Sequence, residues 1–191
     1  MPAEGLPWLP KPEMLTDEEL LRIIGILVGL GVDTVRLTGG EPLLRRSLVD
    51  VVAGIAALDP RPRIAMTSNG VGLDRLAARL AAAGLDRVNV SLDTTDPQHF
   101  ARLTRRDRLE DVIAGLAAAA DAGLTPVKVN AVAMRGLNDV DAPDLLQWCL
   151  DRGYELRFIE QMPLDAQHDW DRGQMVTQDE LLARLGERFT L

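Results

Sequence analysis

Apolar positions recur along the chain at two spacings. From Leu20 to Leu30 they keep the three- and four-residue spacing of an amphipathic helix, which a capping box of Thr16 and Glu19 begins and Gly31 ends. Elsewhere, short β-branched runs alternate with polar residues, as in strands with two unlike faces. The pattern predicts strands near residues 32–37, 63–67, 85–90, 124–129 and 154–159, and further helices near residues 46–58, 74–83, 108–122, 141–152 and 177–189.

This alternation of strands and helices predicts an α/β fold with right-handed crossovers and a parallel sheet. One face of the sheet is polar, because Val88, Val90 and Leu92 alternate with polar residues. We favour a curved sheet or partial (β/α) barrel with a polar interior over an open sheet with one solvated face. No shift in composition marks a second domain, so residues 1–191 are expected to form one domain, with residues 1–15 as an extended, proline-rich arm.

Composition, charge and the cysteine count argue against several classes of function. The formal net charge of −8 argues against non-specific binding to nucleic acid or to anionic membranes. No apolar run approaches the ~20 residues needed to span a bilayer, and no secretory signal is recognisable, so a cytoplasmic location is expected. The one cysteine, Cys149, lies on an apolar helix face, which predicts a buried structural thiol, and one thiol cannot hold an iron–sulfur cluster.

The stretch from Leu37 to Leu43 carries the strongest chemical signal. Gly39 and Gly40 follow an apolar strand, and glycines there let the backbone approach a ligand closely. Glu41 can accept hydrogen bonds from an ammonium group, which predicts an anchor for the amino-acid end of a small molecule. The alternative is a tight strand-to-helix turn with Glu41 near a helix N-terminus.

The other strand ends offer further polar groups. Arg36 and Lys128 are two cations suited to a polyanion such as a triphosphate. The alternative is that each pairs with a nearby acid, such as Glu41 or Asp93. The remaining candidates at the strand ends are Thr38, Thr67, Asn69, Asn89, Ser91, Asn130, Arg157, Glu160 and Gln161.

Several of these signals have simpler structural interpretations. Asn69-Gly70 is a common turn signal, Asp93 could cap the next helix, and Met162 could belong to the core. His99 and His168 are expected to be structural or at the surface, and the basic run at residues 102–108 is expected to be a solvated helix edge.

Taken in order, the motifs resemble one family, the molybdenum cofactor biosynthesis protein A family. Its members are the GTP 3′,8-cyclases of the radical S-adenosylmethionine superfamily. The Gly-Gly-Glu-Pro phrase is shared across that superfamily, whereas the Lys-Val-Asn and Glu-Gln-Met-Pro phrases point to the family. The matching phrases lie at residues 36–45, 67–70, 88–93, 128–132, 136–139 and 157–163.

The resemblance implies a radical-SAM partial TIM barrel and a GTP-binding lyase that performs the first step of molybdenum cofactor biosynthesis. In the family, an N-terminal 4Fe–4S cluster cleaves S-adenosylmethionine, and the resulting radical rearranges GTP so that C3′ joins C8. The residues that would contact S-adenosylmethionine are Gly40, Glu41, Ser91 and Met162. Those that would contact GTP are Arg36, Thr67 and Lys128.

The sequence departs from the family at both cluster-binding segments. The family's CxxxCxxC motif ends directly before a Met-Pro dipeptide, and here Met1-Pro2 opens the sequence. We therefore expect a central part of the enzyme, from a truncated or misassigned gene product whose barrel is incomplete at the N-terminus. Alone it is expected to be inactive as a radical enzyme. The alternatives are a cluster-free nucleotide-binding module or a non-catalytic remnant. The partners considered are GTP, a second copy and a companion protein of the pterin pathway.

Overall fold

The computed structural model describes residues 14–162 and 172–190. Within them lie seven α-helices and five β-strands. In chain order they are α1 (Asp17–Gly29), β1 (Thr34–Leu37), α2 (Leu48–Ala56), β2 (Arg63–Ser68), α3 (Ala77–Ala82), β3 (Arg87–Ser91), α4 (Pro97–Thr104), α5 (Leu109–Asp121), β4 (Lys128–Val132), α6 (Ala142–Leu150), β5 (Glu155–Ile159) and α7 (Gln178–Gly186).

The predicted α/β class with a parallel sheet is confirmed. The five strands belong to one sheet in the order β1-β2-β3-β4-β5, which is consistent with a partial barrel. In the parallel registers, Val35 lies opposite Ile64, and Val129 lies opposite Leu156. The predicted extended arm falls mainly on residues 1–13, which lie outside the described residues.

Contacts divide the described chain into two compact units. The first unit comprises residues 14–90 and 110–127, and the second comprises residues 91–109, 128–162 and 172–190. Each has a core of aliphatic side chains that are buried almost completely. In the first unit these include Ile55, Ile64, Met66, Leu80 and Leu116, and in the second Leu92, Val129, Leu145 and Cys149. Cys149 is a fully buried free thiol, which confirms the predicted structural cysteine, and this burial raises its pKa to about 12.

Two helices begin at capping boxes, the first of which is the predicted box of Thr16 and Glu19. Thr16 caps α1 and accepts from the amide of Glu19, and Thr177 caps α7 and accepts from the amide of Glu180. The amide of Thr177 and the guanidinium of Arg135 donate to the Glu180 carboxylate and lower its pKa to about 2.

The structure contains helix α4, which the apolar periodicity of the sequence does not predict. Its N-cap is Asp96, whose carboxylate accepts from the amides of Gln98 and His99. The interpretation of Asp93 as the cap of this helix is therefore wrong. His99 is structural, as expected, because its Nδ1 lies 2.7 Å from Oδ2 of Asp141. His168 lies outside the described residues.

The turn after β2 packs closely against α5 in the first unit. Asn69 accepts from the amide of Val71, and Gly70 has a φ of +81°, so the turn interpretation of Asn69-Gly70 is confirmed. A Cβ atom on Gly115 of α5 would lie 2.5 Å from the carbonyl oxygen of Gly70. A side chain at Gly115 would therefore push α5 away from this turn.

Among the described residues, no helix has both the length and the apolar character to cross a membrane.

Candidate functional site

The Gly-Gly-Glu-Pro loop follows the carboxyl end of β1. Gly39 has a φ of +131°, a backbone conformation that side-chain-bearing residues rarely adopt. A Cβ atom on Gly39 would meet nothing within 4 Å, so the space beside it is open. Gly40 is exposed. The backbone of the loop is thus accessible to a ligand, as the prediction requires.

Glu41 joins this loop to the turn that follows β2. Its Oε1 accepts from the Leu43 amide at 3.0 Å and from Oγ of Ser68 at 2.8 Å. Its Oε2 accepts from the Asn69 amide at 2.8 Å. The bond to Leu43 caps the 3₁₀ turn at Pro42–Leu44, as the helix-start alternative predicts. Since a carboxylate has about four acceptor positions, roughly one is left for a ligand.

Arg36, Thr67 and Asn89 share one face of the sheet in the first unit. The register places Arg36 opposite Ala65 and Thr67 opposite Asn89, and side chains two residues apart in a strand share a face. Nη1 of Arg36 lies 3.4 Å from Oγ1 of Thr67, so the structure brings these two predicted GTP residues together. Among the described residues Arg36 forms no ion pair, which leaves its exposed guanidinium available to an anion.

Lys128, Asn130 and Arg157 share one face of β4 and β5 in the second unit. The register sets Lys128 opposite Glu155 and Asn130 opposite Arg157. Nζ of Lys128 pairs with a carboxylate oxygen of Glu155, and its side chain is only 15% exposed. Lys128 therefore has an acid partner, as the alternative expected, although that partner is neither Glu41 nor Asp93.

Ser91 ends β3, and Asp93 lies two residues further along the chain. Ser91 is exposed. Burial raises the pKa of Asp93, although Oδ1 of Asp93 accepts from the Val132 amide at 2.8 Å. The side-chain amide of Asn138 donates to the carbonyl oxygens of Asp93 and Val132 and so ties the ends of β3 and β4 together.

Met162 is 56% exposed, so its interpretation as a core residue is wrong. The residues just before it are fixed to the start of α7, since a carboxylate oxygen of Glu160 accepts from the Gln178 amide at 2.7 Å. The neighbouring cavity has a volume of about 170 Å³ and is lined by Ala133, Phe158, Ile159, Glu160, Val176, Gln178 and Leu181. Pro163 of the same phrase lies outside the described residues.

The donors of the described residues do not fit an iron–sulfur cluster. Within residues 14–162 and 172–190 no three His, Cys, Asp or Glu side chains gather where they could hold a metal ion. The one thiol, Cys149, is fully buried, and its raised pKa disfavours the thiolate that a cluster requires.

Sequence reasoning missed two parts of this arrangement. Ser68, which is 3% exposed, links Glu41 to the amide of Gly70, and only its place beside Asn69 could have suggested this. The Gly136–Asp139 phrase is a turn held by Asp139, which is 6% exposed and accepts from the Gly136 amide and from Arg184. A glycine two residues before an asparagine and an aspartate is typical of a tight turn held by side chains.

Comparison with known proteins gives close relatives. The chain is 62% identical over 192 residues to the GTP 3′,8-cyclase of Streptomyces coelicolor, which covers 100% of this chain and 56% of that protein. It is 60% identical to the GTP 3′,8-cyclase of a Mycobacterium species (strain KMS), covering 100% of this chain and 55% of that protein. The chain therefore spans about half the length of the curated relatives it matches.

Solved structures share the fold at low sequence identity. HydG, a maturase of the [FeFe]-hydrogenase, superposes with a TM-score of 0.64 at 13% identity, covering 91% of this chain and 43% of HydG. A radical SAM methyltransferase from Sphaerobacter thermophilus gives a TM-score of 0.61 at 18% identity, covering 91% of this chain and 55% of that chain.

The family model supplies the broadest assignment. The model of the radical SAM superfamily matches residues 3–149, which include the Gly-Gly-Glu-Pro loop and the ends of β2 and β3. Full-length members of that superfamily use S-adenosylmethionine and a 4Fe–4S cluster. The chain belongs to the radical SAM superfamily.

Proposed function

We propose that the chain is the central part of a GTP 3′,8-cyclase, the lyase of the first step of molybdenum cofactor biosynthesis. The observation that carries this proposal is the 62% identity, over the whole chain, to a relative of that name. The family match and the parallel sheet support the same assignment at a coarser level.

Arg36, Thr67 and Lys128 are proposed to bind GTP. Arg36 supports this role because its guanidinium is exposed and has no acid partner among the described residues. A guanidinium binds phosphate oxygens through two parallel donors. Lys128 is paired with Glu155, so a phosphate group of GTP must displace Glu155 to bind its ammonium group.

Gly40, Glu41, Ser91 and Met162 are proposed to bind S-adenosylmethionine, which supplies the radical when a cluster cleaves it. The open backbone at Gly39 and the exposure of Gly40 suit the amino-acid end of that ligand. The free acceptor position on Glu41 suits one N–H of an ammonium group. Because the chain's donors do not fit a cluster, no reaction step is assigned to this chain alone.

A cluster-free nucleotide-binding module is the second candidate function, and the single buried thiol favours it. It predicts GTP affinity without iron, whereas a non-functional remnant predicts none. A homodimer, a companion protein of the pterin pathway and a cytoplasmic location stay predictions from the sequence. Size-exclusion chromatography with light scattering tests the homodimer.

Isothermal titration of the purified chain with GTP tests the proposal. Arg36→Ala and Lys128→Ala should each weaken binding by about tenfold or more, since each removes a charge-assisted contact. Arg188→Ala is the matched control, because Arg188 pairs with Asp144 at the surface and has no proposed ligand role. Absence of GTP binding by the wild-type chain, or equal effects of all three variants, would refute the proposed GTP site.

A further inference from the structure

Two asparagines of the chain are equally buried but differ in their hydrogen bonds. Asn89 on β3 and Asn138 after β4 are each 2% exposed. Asn138 is satisfied, because its Oδ1 accepts from the Met134 amide and its amide nitrogen donates to two carbonyl oxygens. Oδ1 of Asn89 has no hydrogen-bond partner among the described residues.

An acceptor buried without a partner is costly to folding, and native proteins satisfy nearly all such groups. A leucine, whose side chain has the same branched shape and number of heavy atoms, would avoid that cost at a position that is 2% exposed. The polar residue at position 89 therefore indicates a donor that comes from outside the described chain.

The register shows which face this acceptor lies on. Asn89 is directly opposite Thr67, on the face that also carries Arg36. Arg36 and Thr67 are the two GTP contacts proposed in this unit, and Nη1 of Arg36 lies 3.4 Å from Oγ1 of Thr67. Asn89 is thus a third polar residue on a face already assigned to the nucleotide.

We propose that Oδ1 of Asn89 accepts a hydrogen bond from the nucleoside part of GTP. This inference rests on the proposed function. Phosphate oxygens of a triphosphate only accept hydrogen bonds at neutral pH, so they cannot satisfy an amide oxygen. The donors that can are the two ribose hydroxyls, the guanine N1–H and the guanine amino group. Asn89 therefore binds the nucleoside of GTP, whereas Arg36 binds the triphosphate.

Unfolding experiments separate this role from a structural one. Asn89→Leu removes the unsatisfied acceptor, so the apo protein should unfold at an equal or higher denaturant concentration than wild type. Asn138→Leu is the matched control and should lower the midpoint, because it leaves the Met134 amide and two carbonyl oxygens without partners. Asn89→Val is smaller and β-branched, so it covers the case in which leucine is too large. If both Asn89 variants lower the midpoint as Asn138→Leu does, Asn89 is structural and the proposal is wrong.

Titration with GTP and four analogues then identifies the donor. The analogues are 2′-deoxy-GTP, 3′-deoxy-GTP, N1-methyl-GTP and inosine triphosphate, each of which lacks one donor. Asn89→Leu should bind GTP about tenfold more weakly than wild type does. For one analogue, the wild type should bind about tenfold more weakly than it binds GTP. Asn89→Leu should bind that analogue and GTP with equal affinity, because both changes remove the same hydrogen bond.

The outcomes distinguish this inference from the function on which it rests. If the wild type and the Asn89 variants bind GTP with the same affinity, the inference is wrong but the proposed GTP site is not refuted. Additive losses with all four analogues also overturn it. Absence of GTP binding by wild type overturns the proposed function and the inference together.

Discussion

The strongest structural prediction concerns the Glu41 carboxylate, which joins the loops after β1 and β2. Glu41→Ala removes three acceptor contacts, with the Leu43 amide, Oγ of Ser68 and the Asn69 amide. The Ser68 contact matters most, because Ser68 is 3% exposed and water has little access to its hydroxyl. A hydrogen bond to a charged acceptor contributes about 1.5–3 kcal/mol.

The two amide contacts contribute less. The bond to Leu43 caps a 3₁₀ turn, and losing a cap of this kind costs about 1 kcal/mol. Asn69 is exposed, so water can replace Glu41 at its amide at little cost. Glu41→Ala should therefore lower the free energy of unfolding by about 3 kcal/mol. Glu41→Gln keeps one acceptor oxygen and should lose about half of that amount.

Denaturant unfolding followed by circular dichroism measures these differences. Asp144→Ala is the control, because Asp144 is a carboxylate that pairs with Arg188 and its side chain is 72% exposed. Such a surface pair contributes about 0–1 kcal/mol. If Glu41→Ala destabilises the chain no more than Asp144→Ala does, then Glu41 does not hold the two loops together, and the argument from its three hydrogen bonds is refuted.

Three further predictions concern other parts of the fold. Cys149, with a pKa of about 12, should react with a disulfide reagent at pH 8 only after denaturant unfolds the chain; rapid reaction of native protein would contradict its burial. Glu180 has a pKa lowered from 4.5 to about 2, so its contribution to stability is present above pH 4.5 and is lost as the pH falls toward 2. Glu180→Gln should make the free energy of unfolding less dependent on pH over that range. An acid-unfolding curve identical to that of the wild type would contradict this prediction. Gly115→Ala should lower the free energy of unfolding by at least about 2 kcal/mol, because the new methyl group overpacks the contact with Gly70. Gly29→Ala is the control: a Cβ atom there meets nothing within 4 Å, so this change should be neutral or stabilise by up to about 1 kcal/mol. Thermal melts of both variants measure the difference.

The sequence predicts the elements with strong periodicity or caps and predicts less well those that depend on tertiary contacts. Helices α1 and α7 begin where their capping boxes place them, because these bonds are local. Helix α4 has only eight residues and a single buried apolar side chain, Phe100, so it has no apolar stripe to detect. Its N-cap is Asp96, directly before Pro97, and not Asp93, which lies three residues further upstream.

Side-chain partners from distant segments were beyond sequence reasoning. The positions of Arg36 and Thr67 on one face follow from strand alternation and were predictable. The pairing of Lys128 with Glu155 depends on the register of β4 against β5, which the sequence leaves open. The link from Glu41 to Ser68 spans 27 residues and joins two loops whose spacing only the folded sheet sets.

The contrast between satisfied and unsatisfied polar groups helps to separate scaffold from site. Glu41 and Asn138 are polar residues whose hydrogen bonds are made mainly within the chain, so they fix loops at the ends of strands. The buried side-chain oxygens of Asn89 and Asn130 have no partner among the described residues, and the Arg36 guanidinium has no acid there. Since folding selects against unsatisfied buried groups, residues that remain so are expected to serve a ligand. On this argument the three acceptor contacts of Glu41 fix the Gly-Gly-Glu-Pro loop and join it to the turn after β2, and roughly one position is left for the proposed S-adenosylmethionine contact. The proposed nucleotide recognition then falls to the polar strand face.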